Sequence, residues 1–482
     1  MKKVLKFGGS SVATAALLLM VLKIVCKRRD RGNIRAVVVS ARGRRFEGDV
    51  KETDLLIMLY NTLDSERSIG DDVSEADVAT VRGWLGLDRE TGVVSFASIW
   101  ELIAAPLREI VNDLGLDLDI DRILAQSKRE ILKRRDLDFT KSRGEWHMAH
   151  IVAALLKLPM VDATETFRFL RSGLLNEEQT LELIAARSAV PFVSPGFYGA
   201  DSTGWVHTFP RSGSDVSATW MARGLGVDVC EIWGDTPGIY MADPRIIPAD
   251  EQMVLSELTY REAREAQVQA LHEDALRPLR EMGEQGEGAD QPKGPPPIPI
   301  HMRCTTDPDA PGTWIRAERA DNGRRVQIIT ASKGYVAINV YKTGYHDEVG
   351  ATATILDVLR IAQVPFHHIS TGTDGAMIVV PKSMLKNGTL ARILGDIRAN
   401  FKPQFIDGNP KRELAVICLV GQGIRCSFDV MGAAGNALAA AGISEGRFVD
   451  AGGSSDTLVI GIDAEHLATA TLALHRAFAP KG

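Results

Sequence analysis

A short segment near the middle of the chain combines opposite charges with the start of a helix. The run HTFPRSGSDVSATWMARG (207–224) places Arg211 and Asp215 in a turn that leads into apolar residues at helical spacing. Free N–H groups at a helix N-terminus bind anions, and an arginine adds a planar fork for a carboxylate or phosphate. The pattern indicates a site for a ligand with both charges, such as an amino acid. The alternative is an ordinary capped helix with a surface arginine.

The run VLKFGGSSVA (4–13) has a pattern typical of phosphate binding. A predicted strand delivers Lys6, and Gly8, Gly9 and Ser10 then turn the chain towards a helix. Glycine permits close approach of the backbone, and successive N–H groups form a nest for an anion. The spacing is not that of a Walker P-loop. We expect Lys6 to meet phosphate oxygens at this turn.

A third cluster lies where a predicted strand ends in a Pro- and Gly-rich loop, CEIWGDTPGIYMADPR (230–245). The loop begins at Gly234 and presents Asp235, Tyr240 and Arg245. A tyrosine can stack on a base, an aspartate can accept hydrogen bonds from ribose or adenine, and an arginine can hold phosphate. Solvated charges on an ordinary loop are the alternative interpretation.

Alternating short and long patterns supply the elements that must position these residues. β-Rich runs alternate with helical runs up to about Ile315, which predicts a mostly parallel sheet covered by helices. The predicted strands are Lys3–Phe7, Arg35–Ser40, Val190–Gly196, Val229–Trp233 and Ile298–Met302. The predicted helices are Val12–Lys27, Ile99–Leu114, Leu118–Arg134, Glu145–Leu156, Glu177–Arg187, Asp215–Arg223 and Tyr260–Met282. The first of these helices also fits a signal peptide, but lysine interrupts its apolar run.

The C-terminal part repeats one order of elements. After a polar joint at 318–325, segments 326–400 and 413–479 each give strand, helix, strand, strand and helix. This order is typical of a ferredoxin-like unit that another strand completes, and two copies make an internal repeat. A single larger α+β domain is the alternative.

Composition limits the classes of protein to which the chain can belong. Its 482 residues suffice for about three domains. The net charge of −6 provides no basic excess for nucleic acid. Five dispersed cysteines predict reduced thiols in the cytoplasm, and the histidines form no zinc-binding motif. We therefore expect no structural zinc and no metal-ligating residue, no nucleic-acid partner and no membrane partner.

Seven motifs in one order resemble those of the aspartate kinases within the amino acid kinase family, followed by two ACT domains. They are KFGGSS (6–11), SRGE (142–145), PGFYG (195–199), RSGSD (211–215), GDTPGIYMADPR (234–245), LHEDA (271–275) and DPDAPGT (307–313). The resemblance implies a three-layer α/β catalytic domain with a mostly parallel sheet over residues 1–317. It also implies ferredoxin-like α+β ACT domains over 326–400 and 412–482.

The resemblance implies ATP- and Mg²⁺-dependent phosphorylation of the L-aspartate side chain. By this resemblance, the expected catalytic residues are Lys6, Arg211 and Asp215. Its substrate-side positions are Ser40, Thr53, Glu145, Phe197, Arg211 and Ser214. Its nucleotide-side positions are Lys6, Gly8, Gly9, Ser10, Gly234, Asp235, Tyr240 and Arg245. Within this set, Arg211 is expected to hold the α-carboxylate of aspartate, and Glu145 its ammonium group.

The ACT resemblance implies regulation by an amino-acid end product, with lysine and threonine as the candidates. An enzyme free of feedback regulation is the alternative. The expected effector positions are His346, Val349, Gly350, Ser370 and Thr371. A homodimer or larger assembly through the ACT domains is also implied.

Three residues depart from the family pattern. Pro210 and Ser212 stand in a motif that is commonly GRGGSD, and Gln269 stands where many relatives have a lysine that meets ATP. Two other functions therefore stay open: a kinase for another amino acid such as glutamate, and an amino-acid sensor with a weakened kinase scaffold.

Overall fold

Two compact units make up the chain. The structure, a computed structural model, describes residues 1–29, 33–64, 66–87, 94–210, 212–266, 271–280, 296–424, 427–450 and 456–480. The first unit comprises Met1–Ile239 and Val254–Arg319, and the second comprises Tyr240–Met253 and Ala320–Gly482. Arg211 and Gln269 lie outside the described residues, as does most of the Pro- and Gly-rich segment 283–297.

A mostly parallel sheet forms the centre of the first unit. Its strands are β1 (Lys3–Phe7), β2 (Ile34–Val39), β3 (Phe192–Pro195), β6 (Val229–Gly234), β7 (Glu257–Thr259), β8 (Ile300–Cys304) and β9 (Thr313–Arg316). The strands β4 (Tyr198–Ala200) and β5 (Val206–Thr208) form a separate hairpin. The described sheet has the order β3-β2-β1-β6-β8-β9-β7, and only the β8–β9 pair is antiparallel. Strand β1 is flanked on both sides, and its apolar residues Val4, Leu5 and Phe7 are buried together with the charged Lys6.

Helices cover this sheet. They are α1 (Ala15–Arg29), α2 (Glu52–Asn61), α3 (Glu75–Trp84), α4 (Phe96–Asp113), α5 (Ile120–Arg134), α6 (Leu137–Leu156), α7 (Glu177–Ala185), α8 (Gly213–Gly224), α9 (Tyr260–Glu265) and α10 (Glu273–Arg280). Helix α1 contacts α4 and α6, which form one group. Helix α8 contacts α7 and α10, which form another. Helix α6 begins with Asp136, whose carboxylate accepts from the Phe139 amide at 2.6 Å. The whole SRGE motif therefore lies inside a helix.

The predicted α/β class with a mostly parallel sheet is confirmed, whereas one predicted helix is wrong. The segment predicted as a helix from Tyr260 to Met282 contains two helices, α9 and α10. A second N-terminus starts near His272, whose Nδ1 accepts from the amide of Asp274 at 3.3 Å. This local hydrogen bond offers the backbone an alternative to continuing one helix.

The second unit is built on antiparallel strands with helices. Its elements are β10 (Ile328–Tyr341), α11 (Ala351–Ile361), β11 (His368–Gly372), β12 (Gly375–Pro381), α12 (Thr389–Phe401), β13 (Phe405–Gly408), β14 (Leu414–Val420), α13 (Phe428–Ala440), β15 (Phe448–Asp450), β16 (Thr457–Asp463) and α14 (Leu467–Phe478). The described strands follow the order β11-β12-β10-β14-β16-β15, with β13 also paired to β10. The repeated strand and helix order expected from the sequence is present.

The long strand β10 belongs to both repeats. Residues 328–333 pair with β14, whereas residues 335–341 pair with β12. Gly334, between the two halves, has a φ of +96°, a backbone conformation that favours glycine. The strand β13, which the sequence did not predict, completes the first repeat, and the first half of β10 completes the second. The predicted domain bounds at 317, 326, 400 and 412 stay a prediction.

Membrane insertion through a helix has no support in the described part of the chain. No helix there combines the length and the apolar character needed to cross a bilayer. The predicted helix Val12–Lys27 corresponds to α1, which contacts β2, α4 and α6 of the first unit.

Candidate active site

The carboxyl ends of neighbouring parallel strands meet at one edge of the sheet in the first unit. The amide of Gly8, just after β1, donates to the carbonyl of Trp233 in β6 at 2.9 Å. The amide of Ser40, just after β2, donates to the carbonyl of Phe7 at 3.1 Å. The edge at which ligands bind in open α/β sheets thus carries predicted residues from several strands.

The glycine turn after β1 makes a close backbone contact with the loop after β2. A Cβ on Gly43 would lie 2.5 Å from the carbonyl carbon of Gly9, and one on Gly9 would lie 2.8 Å from the Ala41 oxygen. The amide of Gly43 donates to the Gly9 carbonyl at 3.0 Å. Ser10 is half-buried in the same turn. Because only glycines permit this approach, both loops are held close to where phosphate is expected to bind.

A buried ion pair links two of the predicted catalytic residues. The Nζ atom of Lys6 lies 2.6 Å from Oδ1 of Asp215, and the residues are 7% and 8% exposed. Lys6 projects from β1, and Asp215 lies in the first turn of α8. A charge buried to this extent requires a partner. The structure therefore brings together a cation and an anion that the sequence suggested separately.

Helix α8 begins at Gly213, two residues before the predicted start at Asp215. Ser212 is its N-cap, without a side-chain cap hydrogen bond, and the helix itself starts at Gly213. Ser212 has a φ of +44°, in the left-handed region where glycine is preferred. Ser214 and Asp215 lie within the first turn of the helix. The hydroxyl of Ser214 is thus not needed as an N-cap.

Phe197 approaches the start of α8 through a strained turn. Its φ is +79°, and its amide donates to Oγ of Ser217 at 2.9 Å. A Cβ on Gly196 would lie 2.7 Å from Cα of Ser214, and one on Gly213 would lie 2.6 Å from the Phe197 ring. These contacts bring the predicted substrate residues Phe197 and Ser214 together.

Glu145 is a buried carboxyl group on α6 with an altered proton affinity. Its pKa is raised to about 8, mainly by burial and also by the neighbouring charge of Glu52, although backbone hydrogen bonding at Ala41 and the charge of Lys6 act in the opposite direction. Its Oε2 atom has no hydrogen-bond partner among the described residues. A buried carboxyl group of this kind is suited to a ligand cation, which would favour its ionised form.

Sequence reasoning missed two buried residues that lie next to the predicted site. Glu52 and His147 are fully buried, and Oε1 of Glu52 lies 3.0 Å from Nδ1 of His147. This contact ties α2, which carries the half-buried Thr53, to α6, which carries Glu145. Glu52 immediately precedes the predicted Thr53, and His147 lies two positions after the predicted Glu145. That proximity was the available signal, although burial was not readable from it.

The predicted nucleotide residues fall in both units. Gly234 is half-buried at the end of β6 and Asp235 is exposed, and both belong to the first unit. Tyr240 is half-buried and Arg245 exposed in the second unit. The guanidinium of Arg245 contacts the carboxylate of Asp243 at 2.6 Å. Their assignment to nucleotide binding stays a prediction.

The predicted effector residues lie at the surface of the second unit. Gly350 is the N-cap of α11 with a φ of +84°, and Val349 before it is completely exposed. His346 is exposed, and its Nδ1 lies 2.9 Å from the carbonyl of Thr373. Ser370 and Thr371 are exposed on β11, a strand at the end of the described sheet order. These positions are exposed, and effector binding to them remains a prediction.

The sequence and fold define a family. A family model described as the amino acid kinase family matches residues 1–286, which is more than half of the chain. The chain belongs to this family. The match covers the Lys6 turn, Glu145 and the start of α8, so the site described above lies within the family's common region.

Individual relatives are similar along nearly the whole chain. It is 26% identical to aspartokinase 3 of Bacillus subtilis over 99% of this chain and 98% of that protein. It superimposes on the aspartate kinase of Clostridium acetobutylicum with a TM-score of 0.80 and 28% identity, over 99% of this chain and 100% of that one. Aspartokinase III of Escherichia coli, in complex with aspartate and ADP, gives a TM-score of 0.71 over the full length of both chains. At 19% identity this last likeness concerns the fold alone.

Proposed function

We propose that the chain is an aspartate kinase that transfers a phosphoryl group from ATP to the side-chain carboxylate of L-aspartate, forming 4-phospho-L-aspartate. The observation that carries the proposal is the buried pair of Lys6 and Asp215 at the edge where β1 ends in a glycine turn. The full-length similarity to named aspartate kinases supports the same substrate. The product is the first intermediate towards amino acids of the lysine, threonine and methionine type.

The chemistry suits these groups because an aspartate carboxylate is already ionised at neutral pH and needs no general base. The difficulty lies in bringing one anion to another, so catalysis depends on charge neutralisation and in-line positioning. Lys6 stabilises the transferring phosphoryl group, and Arg211 binds the α-carboxylate. Glu145 accepts the ammonium group, with Ser40, Thr53, Phe197 and Ser214 completing the substrate side.

The described residues fit ATP and Mg²⁺ in different ways. The amide of Gly8 is engaged by the Trp233 carbonyl, whereas the backbone N–H groups of Gly9 and Ser10 in the same turn are available to a phosphate chain. Among the described residues, no group of three or more His, Cys, Asp or Glu side chains could hold a metal ion. That fits Mg²⁺, which proteins usually bind through phosphates, water and one or two carboxylates. When bound, Mg²⁺ neutralises charge on the phosphates.

The second unit is proposed to regulate this reaction as a pair of ACT domains, over 326–400 and 412–482. Lysine or threonine is the proposed effector, on His346, Val349, Gly350, Ser370 and Thr371. The free amides at the start of α11 suit the effector carboxylate. A homodimer or larger assembly through these domains and a cytoplasmic location complete the proposal.

The test is acyl-phosphate formation, trapped with hydroxylamine in the presence of ATP and Mg²⁺, with aspartate and glutamate in parallel. We expect turnover on aspartate alone, inhibited by lysine or threonine. Turnover on glutamate would contradict the substrate. Absence of turnover in folded protein that still binds lysine or threonine would contradict the activity and identify an amino-acid sensor.

A further inference from the structure

One cavity in the first unit is bordered by none of the proposed active-site residues. It has a volume of about 410 Å³ and is lined by α5, α6, the segment 162–168 and the β4–β5 hairpin. Arg143 lines this cavity, whereas Glu145, two residues further along α6, belongs to the active site. Two residues correspond to about 200° around a helix, so these side chains leave α6 on opposite sides. The cavity is within the size range of sites for small molecules.

The wall of the cavity contains a buried arginine without an acidic partner. Arg143 is 7% exposed, and its guanidinium donates to Oγ of Ser142 at 2.9 and 3.2 Å. Among the described residues, no carboxylate lies within ion-pair distance of it. The guanidinium centre lies instead 4.2 Å from the Phe139 ring and 5.1 Å from the Trp146 ring. Aromatic faces attract a cation but leave its net charge uncompensated, and an arginine does not lose its proton.

The carboxylates of the cavity are already engaged. The Oδ1 atom of Asp162 accepts from the amide and hydroxyl of Thr164 at 2.9 and 2.8 Å, and its Oδ2 accepts from the hydroxyl of Tyr198 at 3.1 Å. Glu130 lies 3.5 Å from Arg134 of the same helix. Neither carboxylate forms an ion pair with Arg143, and Asp162, whose donors are all neutral, contributes one negative charge to a lining that holds three arginines.

Two further arginines face the same space. Arg134 lies at the end of α5 with its guanidinium 4.4 Å from the Phe139 ring, so it and Arg143 share one aromatic side chain. Arg168 donates to the backbone carbonyl of Asp201 at 2.8 Å, a contact that carries no countercharge. Planar guanidinium groups with free donors recognise carboxylate and phosphate oxygens in particular.

We propose that this cavity is a binding site for a small metabolite with a carboxylate or phosphate group, which neutralises Arg143 and contacts Arg134 and Arg168. The oxyanion occupies the space that the guanidinium groups border, and the rest of the ligand lies along the hairpin. The site does not depend on the proposed kinase activity, because none of its residues belongs to the proposed catalytic set.

The experiment measures binding of inorganic phosphate and, separately, succinate by isothermal titration calorimetry with the full chain. Five proteins are compared: the natural chain, Arg168→Gln, Arg134→Gln, Lys6→Met and the matched control Arg129→Gln, an exposed arginine of α5 outside the cavity. We expect saturable binding of at least one anion, unchanged in Arg129→Gln and Lys6→Met. In Arg168→Gln and Arg134→Gln we expect it to be about tenfold weaker, as for loss of one charge-assisted hydrogen bond.

The two anions distinguish the source of the oxyanion, since binding of phosphate alone indicates a phosphate ester and binding of succinate alone a carboxylic acid. Arg143→Lys keeps the charge but removes the fork, and weaker binding in this folded variant would support bidentate recognition. Absence of saturable binding of both anions overturns the proposal. Binding that Lys6→Met abolishes and Arg168→Gln leaves intact also overturns it, because the anion then occupies the active site.

Discussion

Replacement of Glu145 by glutamine should change how the stability of the first unit depends on pH. Glutamine has nearly the same shape but cannot ionise. In the natural chain, burial raises the pKa of Glu145 from 4.5 to about 8. The folded state therefore holds a proton that the unfolded state releases above about pH 4.5. The contribution of this proton to the free energy of unfolding is fully present below the unfolded pKa of about 4.5 and is lost as the pH rises towards 8.

The magnitude follows from the size of the shift. One pKa unit corresponds to about 1.4 kcal/mol, so a rise from 4.5 to about 8 gives a loss on the order of 5 kcal/mol by about pH 8. Between these values the natural chain should lose about 1.4 kcal/mol of stability per pH unit relative to Glu145→Gln. Above about pH 8 the difference should become constant, because the carboxyl group is then ionised in both states.

Urea unfolding followed by tryptophan fluorescence measures this difference for the relevant unit. All seven tryptophans of the chain lie in the first unit, so the signal does not report on the second. Curves recorded from about pH 5 to about pH 8.5 give the free energy of unfolding at each pH. Glu182→Gln, at an exposed position of α7, is the matched control and should follow the natural chain.

Parallel pH profiles for the natural chain and Glu145→Gln would refute the reasoning, since they would mean that the folded state holds Glu145 ionised and solvated.

A second measurement links the same proton to the substrate. Below about pH 8, the ammonium group of bound aspartate should drive Glu145 to ionise and release close to one proton, seen as a dependence of binding enthalpy on the buffer. Glu145→Gln should release none.

Other substitutions test the remaining parts of the site. Lys6→Met should lower turnover in the hydroxylamine assay at least about a hundredfold, because the transferring charge loses its cation; near-normal turnover would contradict its catalytic role. Gly43→Ala should destabilise the first unit by about 1 to 3 kcal/mol and weaken ATP binding, because the new Cβ meets the backbone of Gly9. The control Gly83→Ala, whose Cβ enters open space on a helix, should be neutral or slightly stabilising. Ser212→Gly should stabilise by up to about 1 kcal/mol in urea unfolding, because φ is +44° there; a loss of stability would contradict the strain.

The sequence determined the class of fold and the kinds of residue in the site. Strand β1 was predicted with its observed bounds because Val4, Leu5 and Phe7 stand in a short run that ends at a glycine turn. The motif around Glu145 was recognisable, and so were the charges of Lys6 and Asp215. The four-residue strand β13 was not predictable, since FIDG has no alternating pattern and acquires strand geometry only by pairing with β10.

The tertiary structure alone decided how these residues interact. Lys6 and Asp215 become a buried pair only because β1 and the start of α8, which are distant in the chain, meet at one edge of the sheet. The raised pKa of Glu145 likewise results from burial, and Arg143 is buried at a place where the fold brings no carboxylate of the described residues within ion-pair distance. Local sequence records charge and periodicity, whereas the removal of a charge from water depends on contacts between segments that the sequence does not place side by side.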